Sequence, residues 1–397
     1  MTRDVTLEVP WRDATACLCV KPSGLLVHNG SFAGPRERSC TELLRAQEGA
    51  SLSPVHRLDR GTSGLVLFAR EGCAASWQEA LGRETTDKRY LALARGYVRE
   101  DTLVDHPLRD DHGALREARS LVLPLASAPE PGCTLVEVRT YTGRMHQVRR
   151  HLKHLAHPVL GDSNYGHGDL NRWYRERFGL GRLALHAWRL AVTHPFTGQR
   201  VAWRAALPEE LLAPLRAIFT EAPLRELLPA PWRWPLGDGA SAPPTLAPGH
   251  PGAFGATRRH DVHTGLDLYC DEDAAVLAVE DGLVVAVERF TGPAAGSPWW
   301  RDTLAVLVEG ASGVVLYGEL APAEGVREGR ALRAGDLVGR VRRVLARDKG
   351  LPVTMLHLEL YARGAREAVW WRHGEGRPEA LRDPTDALAE ALTARGG

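Results

Sequence analysis

Residues 17–20 of this chain are unbrokenly apolar, the cluster Lys21-Pro22-Ser23-Gly24 interrupts them, and residues 25–28 are apolar again up to His28. That pattern predicts strand, turn, strand, because Pro, Ser and Gly together favour chain reversal. The same reading predicts a strand over 65–69, a helix over 74–83 and a strand over 90–98 interrupted at Gly96. Further on it predicts a strand over 134–139 and a basic helix over 144–157 carrying Arg149, Arg150 and Lys153. A strand pair follows over 183–205, split by the turn His194-Pro195-Phe196-Thr197-Gly198.

Over 227–251 the text changes to prolines with Gly and Ser, a composition that reads as a stiff, extended linker. Beyond it come short β-type runs at 275–279, 282–287, 303–308, 314–316 and 357–360, several bounded by Asp-Gly, Glu-Gly or Ser-Gly turns. The fold class expected is therefore α+β: a front domain over 1–225 with a mixed, mainly antiparallel sheet, a linker over 226–250, and a small all-β barrel-sandwich domain over 251–390.

Composition changes this picture little. At 397 residues, 44% hydrophobic and 25% charged, the chain has material for two or three packed cores. The net charge is +1, but the front half holds the excess of basic residues and the back half an excess of acidic ones. A mildly basic front half suits a polyanionic partner, and an acidic back half argues against sharing it. None of the six cysteines forms a C-x-x-C pair, so reduced, buried thiols are expected. The N-terminus shows no signal architecture and no apolar run reaches the length of a membrane span, so a cytoplasmic location without a membrane partner is expected.

The densest chemistry lies at His56-Arg57-Leu58-Asp59-Arg60-Gly61-Thr62-Ser63-Gly64. One carboxylate, Asp59, stands among arginines that favour its ionised form, ahead of a glycine-containing turn and an apolar strand. An Asp in that position also serves as a simple turn cap. The words HRLD and TSG resemble the active-site segment of the RluA-type pseudouridine synthases, which turn uridine in RNA into its C-glycoside isomer. Four more segments match that family in order: Lys21-Pro22-Ser23-Gly24-Leu25, Lys88-Arg89-Tyr90, Thr142-Gly143-Arg144-Met145-His146-Gln147-Val148-Arg149, and His157-Pro158-Val159-Leu160-Gly161-Asp162 with Leu185-His186-Ala187 after it.

The resemblance covers about residues 8–215 and implies a pseudouridine synthase fold acting on structured RNA. Asp59 is then the catalytic acid acting on a flipped-out uridine, Arg149 its partner, and Tyr90 the ring packing against the uracil. Arg57 fills the vacated space in the RNA. Arg60, Lys21, Arg144, His146 and Arg150 are RNA-binding candidates, although Lys21 also reads as a turn residue, His146 as a loop-positioning group, and the basic run as a solvated helix face. No metal or nucleotide cofactor is implied, because the reaction is an isomerisation. Within the family the resemblance is to the tRNA-acting group designated C, through Gln147 to Pro158 and Asn171-Arg172; a ribosomal RNA target stays open.

In the back half, Phe254-Gly255 and His263-Thr-Gly-Leu-Asp267, followed by Met355-Leu-His357-Leu-Glu359, resemble the LytM-type metallopeptidases. The resemblance implies a zinc site of His263, Asp267 and His357 with an open fourth position. Met355 and Glu319 stand where that family carries two catalytic histidines. The expectation is a non-catalytic module that either binds zinc or keeps three residual ligand positions. The competing class for the whole chain is a metallopeptidase or peptidoglycan-binding protein.

Overall fold

Cys17, Leu18 and Cys19 are fully buried, and they pair with an equally buried run of Leu65, Val66, Leu67 and Phe68. A strand pair with no polar face belongs in the middle of a sheet covered on both sides. In this computed structural model, which describes residues 6–29, 38–219, 230–237, 244–258, 261–295, 300–345 and 354–395, that pair organises the first of two units. The first unit is Met1–Pro195 with Ala202–Leu228, and the second is Pro229–Arg395 with Phe196–Val201.

In chain order the first unit contains β1 (Glu8–Arg12), β2 (Ala16–Lys21), α1 (Cys40–Glu48), β3 (Leu52–Pro54), β4 (Ser63–Arg70), α2 (Ala74–Gly82) and β5 (Asp87–Arg95). It continues with β6 (Thr102–Asp105), the small hairpin β7 (Leu108–Arg109) and β8 (Leu115–Arg116), β9 (Arg119–Ala128) and β10 (Cys133–Thr140). The last elements are α3 (Gln147–His154), α4 (Gly168–Phe178), β11 (Leu185–Thr193), β12 (Arg200–Arg204), whose first two residues fall in the second unit, and α5 (Glu209–Phe219). The main sheet runs β1-β2-β4-β11-β5-β10-β9-β6, with β3 on β4 and β12 on β11. β4 pairs with β11 in parallel, while β2–β4, β11–β5 and β5–β10 are antiparallel. The mixed, mainly antiparallel α+β architecture expected from the pattern is what forms.

Two local expectations fail for physical reasons. Residues 25–28 form no second strand; Leu26 makes a single bridge to Ser39, and the segment is tied down by side chains instead, as Lys21 Nζ donates to the Leu25 carbonyl at 2.7 Å and Thr41 Oγ1 to the Val27 carbonyl at 2.8 Å. The basic helix begins at Gln147 rather than 144, because His146 sits in the left-handed region at φ 55° and Gln147 folds back on the loop. Its Oε1 accepts from Thr142 Oγ1 and from the Arg144 N–H, and its Nε2 donates to the Arg119 carbonyl and Ser120 Oγ.

The second unit is sheet-rich. Its strands are β13 (Leu266–Tyr269), β14 (Ala275–Leu277), β15 (Gly282–Thr291), β16 (Thr303–Gly310), β17 (Val314–Pro322), β18 (Ala331–Leu332), β19 (Leu337–Val341), β20 (Met355–Tyr361) and β21 (Leu381–Arg382). The order is β13-β20-β17-β16-β15-β18, with β14, β19 and β21 attached at the side. A terminal helix, α6 (Thr385–Arg395), buries Leu388, Ala389 and Ala391, an element the β-type runs did not announce. The proline-rich stretch is also not simply a linker. Residues 226–229 and 238–243 lie outside the described residues. Between them Trp232, Trp234 and Leu236 are buried in the second unit, Arg233 N–H donates to the Val279 carbonyl, and Leu277 N–H donates to the Pro235 carbonyl. Alternating large apolar side chains outweigh the proline content here.

Candidate active site

The Asp59 loop joins β3 to β4, and its shape is fixed from beneath. Thr62 N–H donates to the Asp59 carbonyl at 3.0 Å, and Arg182 Nη2 donates to the Gly61 carbonyl and to Ser63 Oγ. Gly64 has φ +117°, and a Cβ on it would meet the Ala187 carbonyl oxygen at 2.1 Å. Only glycine lets β4 approach β11 this closely. Across the sheet Gly64 pairs with Ala187, and Ala187 with Tyr90. Gly64 and Ala187, with little or no side chain, thus share one cross-strand row with Tyr90.

Lys21 is a correction to the sequence reading. It is fully buried, and its ammonium donates to the carbonyls of Pro22, Leu25 and Arg60 at 2.9, 2.7 and 3.0 Å. All three ammonium protons are therefore engaged inside the protein, so Lys21 clamps the Asp59 loop and contacts no RNA phosphate. Burial lowers its pKa to about 8. His56 likewise faces inward, accepting the Leu67 N–H, and burial lowers its pKa to about 4.

Arg149 lies on α3 and joins two carboxylates. Its Nη1 donates to Asp59 Oδ2 at 3.0 Å, while Nε and Nη2 donate to the two oxygens of Asp162 at 2.7 and 2.8 Å. Asp162 also accepts the N–H groups of Asn164 and Tyr165, and burial notwithstanding, these bonds hold its carboxyl below the usual carboxylate range. The guanidinium is fixed as a planar fork, and its remaining edge faces Asp59. Tyr90 is half-buried, and desolvation followed by the charge of Asp59 drives its phenol well above the usual value.

The sequence reading missed two participants. Asp162 lay inside a recognised motif with no role attached, and a buried acid after an apolar run was the available signal. Tyr165 had no signal; its hydroxyl shares a 3.1 Å hydrogen bond with His146 Nδ1, and its ring lies 5.0 Å from the Arg149 guanidinium and 5.4 Å from the Lys153 ammonium. His146 Nε2 is 3.8 Å from Asp59 Oδ1.

The basic helix face divides. Arg149 is buried on the two acids, and His151 is buried against Ser120 Oγ and the His106 carbonyl, so neither belongs to a solvated face. Arg144 and Arg150 anchor through the carbonyls of Glu117 and Arg109 and stay partly open to solvent, and Arg57 and Arg60 are exposed at the loop mouth. A carboxylate held by a fixed guanidinium, beside a tyrosine and rimmed by cations, suits covalent or ion-pair chemistry on a polyanion.

A family model described as RNA pseudouridylate synthase matches residues 16–154. The tRNA pseudouridine synthase C of Vibrio cholerae is 36% identical over 224 residues, covering 51% of this chain and 92% of its own. This chain belongs to the RluA-type RNA pseudouridine synthases. The tRNA pseudouridine synthase C of Pasteurella multocida is also 36% identical, covering 52% of this chain and 94% of its own. Among solved structures, human RNA pseudouridylate synthase domain containing 4 matches with 23% identity and a TM-score of 0.44, covering 53% of this chain and 92% of its own. The synthase converts uridine in RNA to pseudouridine.

The second unit of the synthase carries a separate cluster. β13 and β20 pair so that Asp267 stands opposite His357, and His263 precedes β13. Asp267 Oδ1 lies 2.8 Å from His357 Nδ1 and 3.1 Å from His263 Nε2, and the two nitrogens are 3.3 Å apart. A tetrahedral zinc with ligands at ~2.0–2.1 Å sets its donor atoms roughly 3.3 Å apart, so these three atoms fit one ion. The opposite ring atoms are oriented in the usual manner of metal ligands: His263 Nδ1 donates to the Ala253 carbonyl at 2.9 Å, and His357 Nε2 meets Glu359 Oε1 at 3.0 Å. Glu359 is itself held by Thr264 and Tyr361, and Arg258 bonds the other oxygen of Asp267. Burial lowers the pKa of His357, but the hydrogen bonds and charges of Asp267 and Glu359 outweigh it and raise it to about 10.

Proposed function

We propose that the synthase acts on tRNA in the cytoplasm and that Asp59 performs the chemistry on a flipped-out uridine. The observation that carries the residue assignment is the shared guanidinium: Arg149 aims Asp59 while Asp162 holds Arg149. The N1–C1′ glycosidic bond breaks, the uracil turns, C5 bonds to C1′, and the C5 proton leaves as N1 gains one. Atoms balance without oxidant, reductant or nucleotide. Asp59 acts either at C1′, stabilising the ribose cation as an ester or ion pair while the uracil is detached, or on the base as a covalent adduct that turns with it. Tyr90 packs against the uracil and is placed to move the C5 proton. Arg57 occupies the gap left in the RNA, and Arg60, Arg144, His146 and Arg150 contact phosphates around it. The tRNA substrate rests on the relatives' names and on the motif words around Asn171.

Asp59→Ala is expected to abolish conversion of uridine in total RNA, with folding unchanged by circular dichroism. Retained conversion would reject the assignment of Asp59. Mapping pseudouridines in cells lacking the chain is expected to show loss in tRNA; loss confined to ribosomal RNA would redirect the substrate.

For the second unit we propose a zinc-binding, non-catalytic module. His263, Asp267 and His357 would hold the ion, whose chemistry would be charge neutralisation among buried acids.

A further inference from the structure

We infer that the second unit carries a phosphate-binding groove for RNA: Arg289, Arg301, Arg342 and Arg343 line one cavity of about 520 Å³ and present their guanidiniums to the backbone of the RNA that the first unit modifies. This rests on the synthase acting on RNA, and not on its acting on tRNA. Guanidinium forks match phosphate oxygens in both shape and charge.

Three strand ends build the cavity. Arg289 on β15 stands opposite Leu304 on β16, and Leu304 opposite Leu320 on β17, so two leucines of the lining share a cross-strand row with the first arginine. Arg342 and Arg343 leave the end of β19, where the Arg342 N–H donates to the Glu319 carbonyl at 2.8 Å. Arg301 is tied to the same segment: its N–H donates to the Val344 carbonyl at 2.8 Å, and its own carbonyl accepts from Thr291 Oγ1 at 2.9 Å. The backbone that carries the arginines is therefore fixed, while their side chains keep donors to spare. Among the described residues the side chains of Arg289 and Arg301 make no hydrogen bond or ion pair. Arg343 Nε donates to the Leu345 carbonyl at 3.1 Å and Arg342 Nη1 to Asp273 Oδ1 at 2.6 Å, which leaves each guanidinium further N–H groups.

Charge gathers here against the trend of the unit. The back half of the chain is acidic in sum, yet this lining sets four arginines against Glu272 and Asp302, and neither acid pairs with a lining guanidinium among the described residues. Like charges around one cavity repel one another, and a polyanion relieves that repulsion while it sheds its own counterions. RNA is the polyanion because the first unit already engages it. Both units belong to one polypeptide, so bound RNA meets the groove at a raised local concentration and even a weak site adds affinity.

Fluorescence anisotropy of the full chain with total tRNA and, in parallel, with ribosomal RNA over a range of salt concentrations is the test. Arg289→Gln combined with Arg301→Gln is expected to raise Kd about fivefold and to flatten the slope of log Kd against log salt by about 1.5, with KM raised and kcat unchanged. Arg289→Lys combined with Arg301→Lys keeps the charge and is expected to keep the salt slope. Arg327→Gln combined with Arg330→Gln removes equal charge from exposed positions of the same unit outside the lining, and is expected to leave Kd and slope at wild-type values. A wild-type chain that binds ribosomal RNA alone rejects the tRNA reading, and the variants are then scored on ribosomal RNA. The zinc reading stands apart, since none of His263, Asp267 and His357 lines the cavity; a melting temperature that neither falls with chelator nor recovers with Zn2+ rejects that reading alone. An Arg289 and Arg301 double glutamine variant indistinguishable from wild type, or matched by the Arg327 and Arg330 control, overturns the groove. So does one that loses affinity only for a polyglutamate peptide, which assigns the groove to an acidic protein.

Discussion

Arg149 serves two acids, and the two are unequal. Asp162 is fully buried and takes two of its N–H groups, so it positions the guanidinium, while Asp59 is partly exposed and receives one. Asp162→Asn is expected to destabilise the fold by about 3–5 kcal/mol, the usual cost of breaking a buried pair from one side, and to lower kcat more than KM. Urea melts and steady-state conversion measure the two. The sign of the pH effect follows from the lowered carboxyl of Asp162. Its contribution is full above the ordinary carboxylate range and is lost as pH falls through the lower folded value, so the acid limb of the wild-type stability curve should shrink in the asparagine variant. The pairing of Asp59 with Arg149 was legible because each stood in a motif with a chemical reason for its residue type. Lys21 misled, since a lysine beside a Pro-Ser-Gly turn gives no local sign that its ammonium folds inward onto three carbonyls.

At the scale of elements, β4 decides the site. Its first residues carry the Thr62-Ser63-Gly64 turn, and its parallel approach to β11 brings Gly64, Ala187 and Tyr90 into one row. Gly64→Ala is expected to lower the melting temperature severely or prevent folding, because the added Cβ has nowhere to go and φ is positive. A melt indistinguishable from wild type would show that β4 can slide. The strands were legible from apolar runs, since β2, β4 and β10 are buried on both faces. The start of α3 was not, because the Arg144-Met145-His146 stretch has helical composition while the loop contacts of Gln147 govern its backbone. Helix α1 also escaped notice, although its start bears a capping box between Ser39 and Glu42.

At the scale of the molecule, the two Vibrio and Pasteurella relatives cover 51% and 52% of the chain. Among the described residues no helix is long and apolar enough to cross a membrane. The second unit was legible as β-rich from its Gly-bounded runs, and its His263, Asp267 and His357 cluster from the resemblance of those segments to the LytM-type metallopeptidases. Its true beginning was not, because prolines drew attention away from the alternation of Trp232, Trp234 and Leu236.

That alternation matters for anyone dividing the gene. A fragment starting at residue 251 strips the backbone partners from Leu277 and Val279 and empties two indole-sized slots in the unit's core. It is expected to aggregate, whereas one starting at 229 should remain monodisperse in size-exclusion chromatography, with equal behaviour of the two counting against a packed role for the tryptophans. The seam between the halves is cut by packing, upstream of where the proline count would put the scissors.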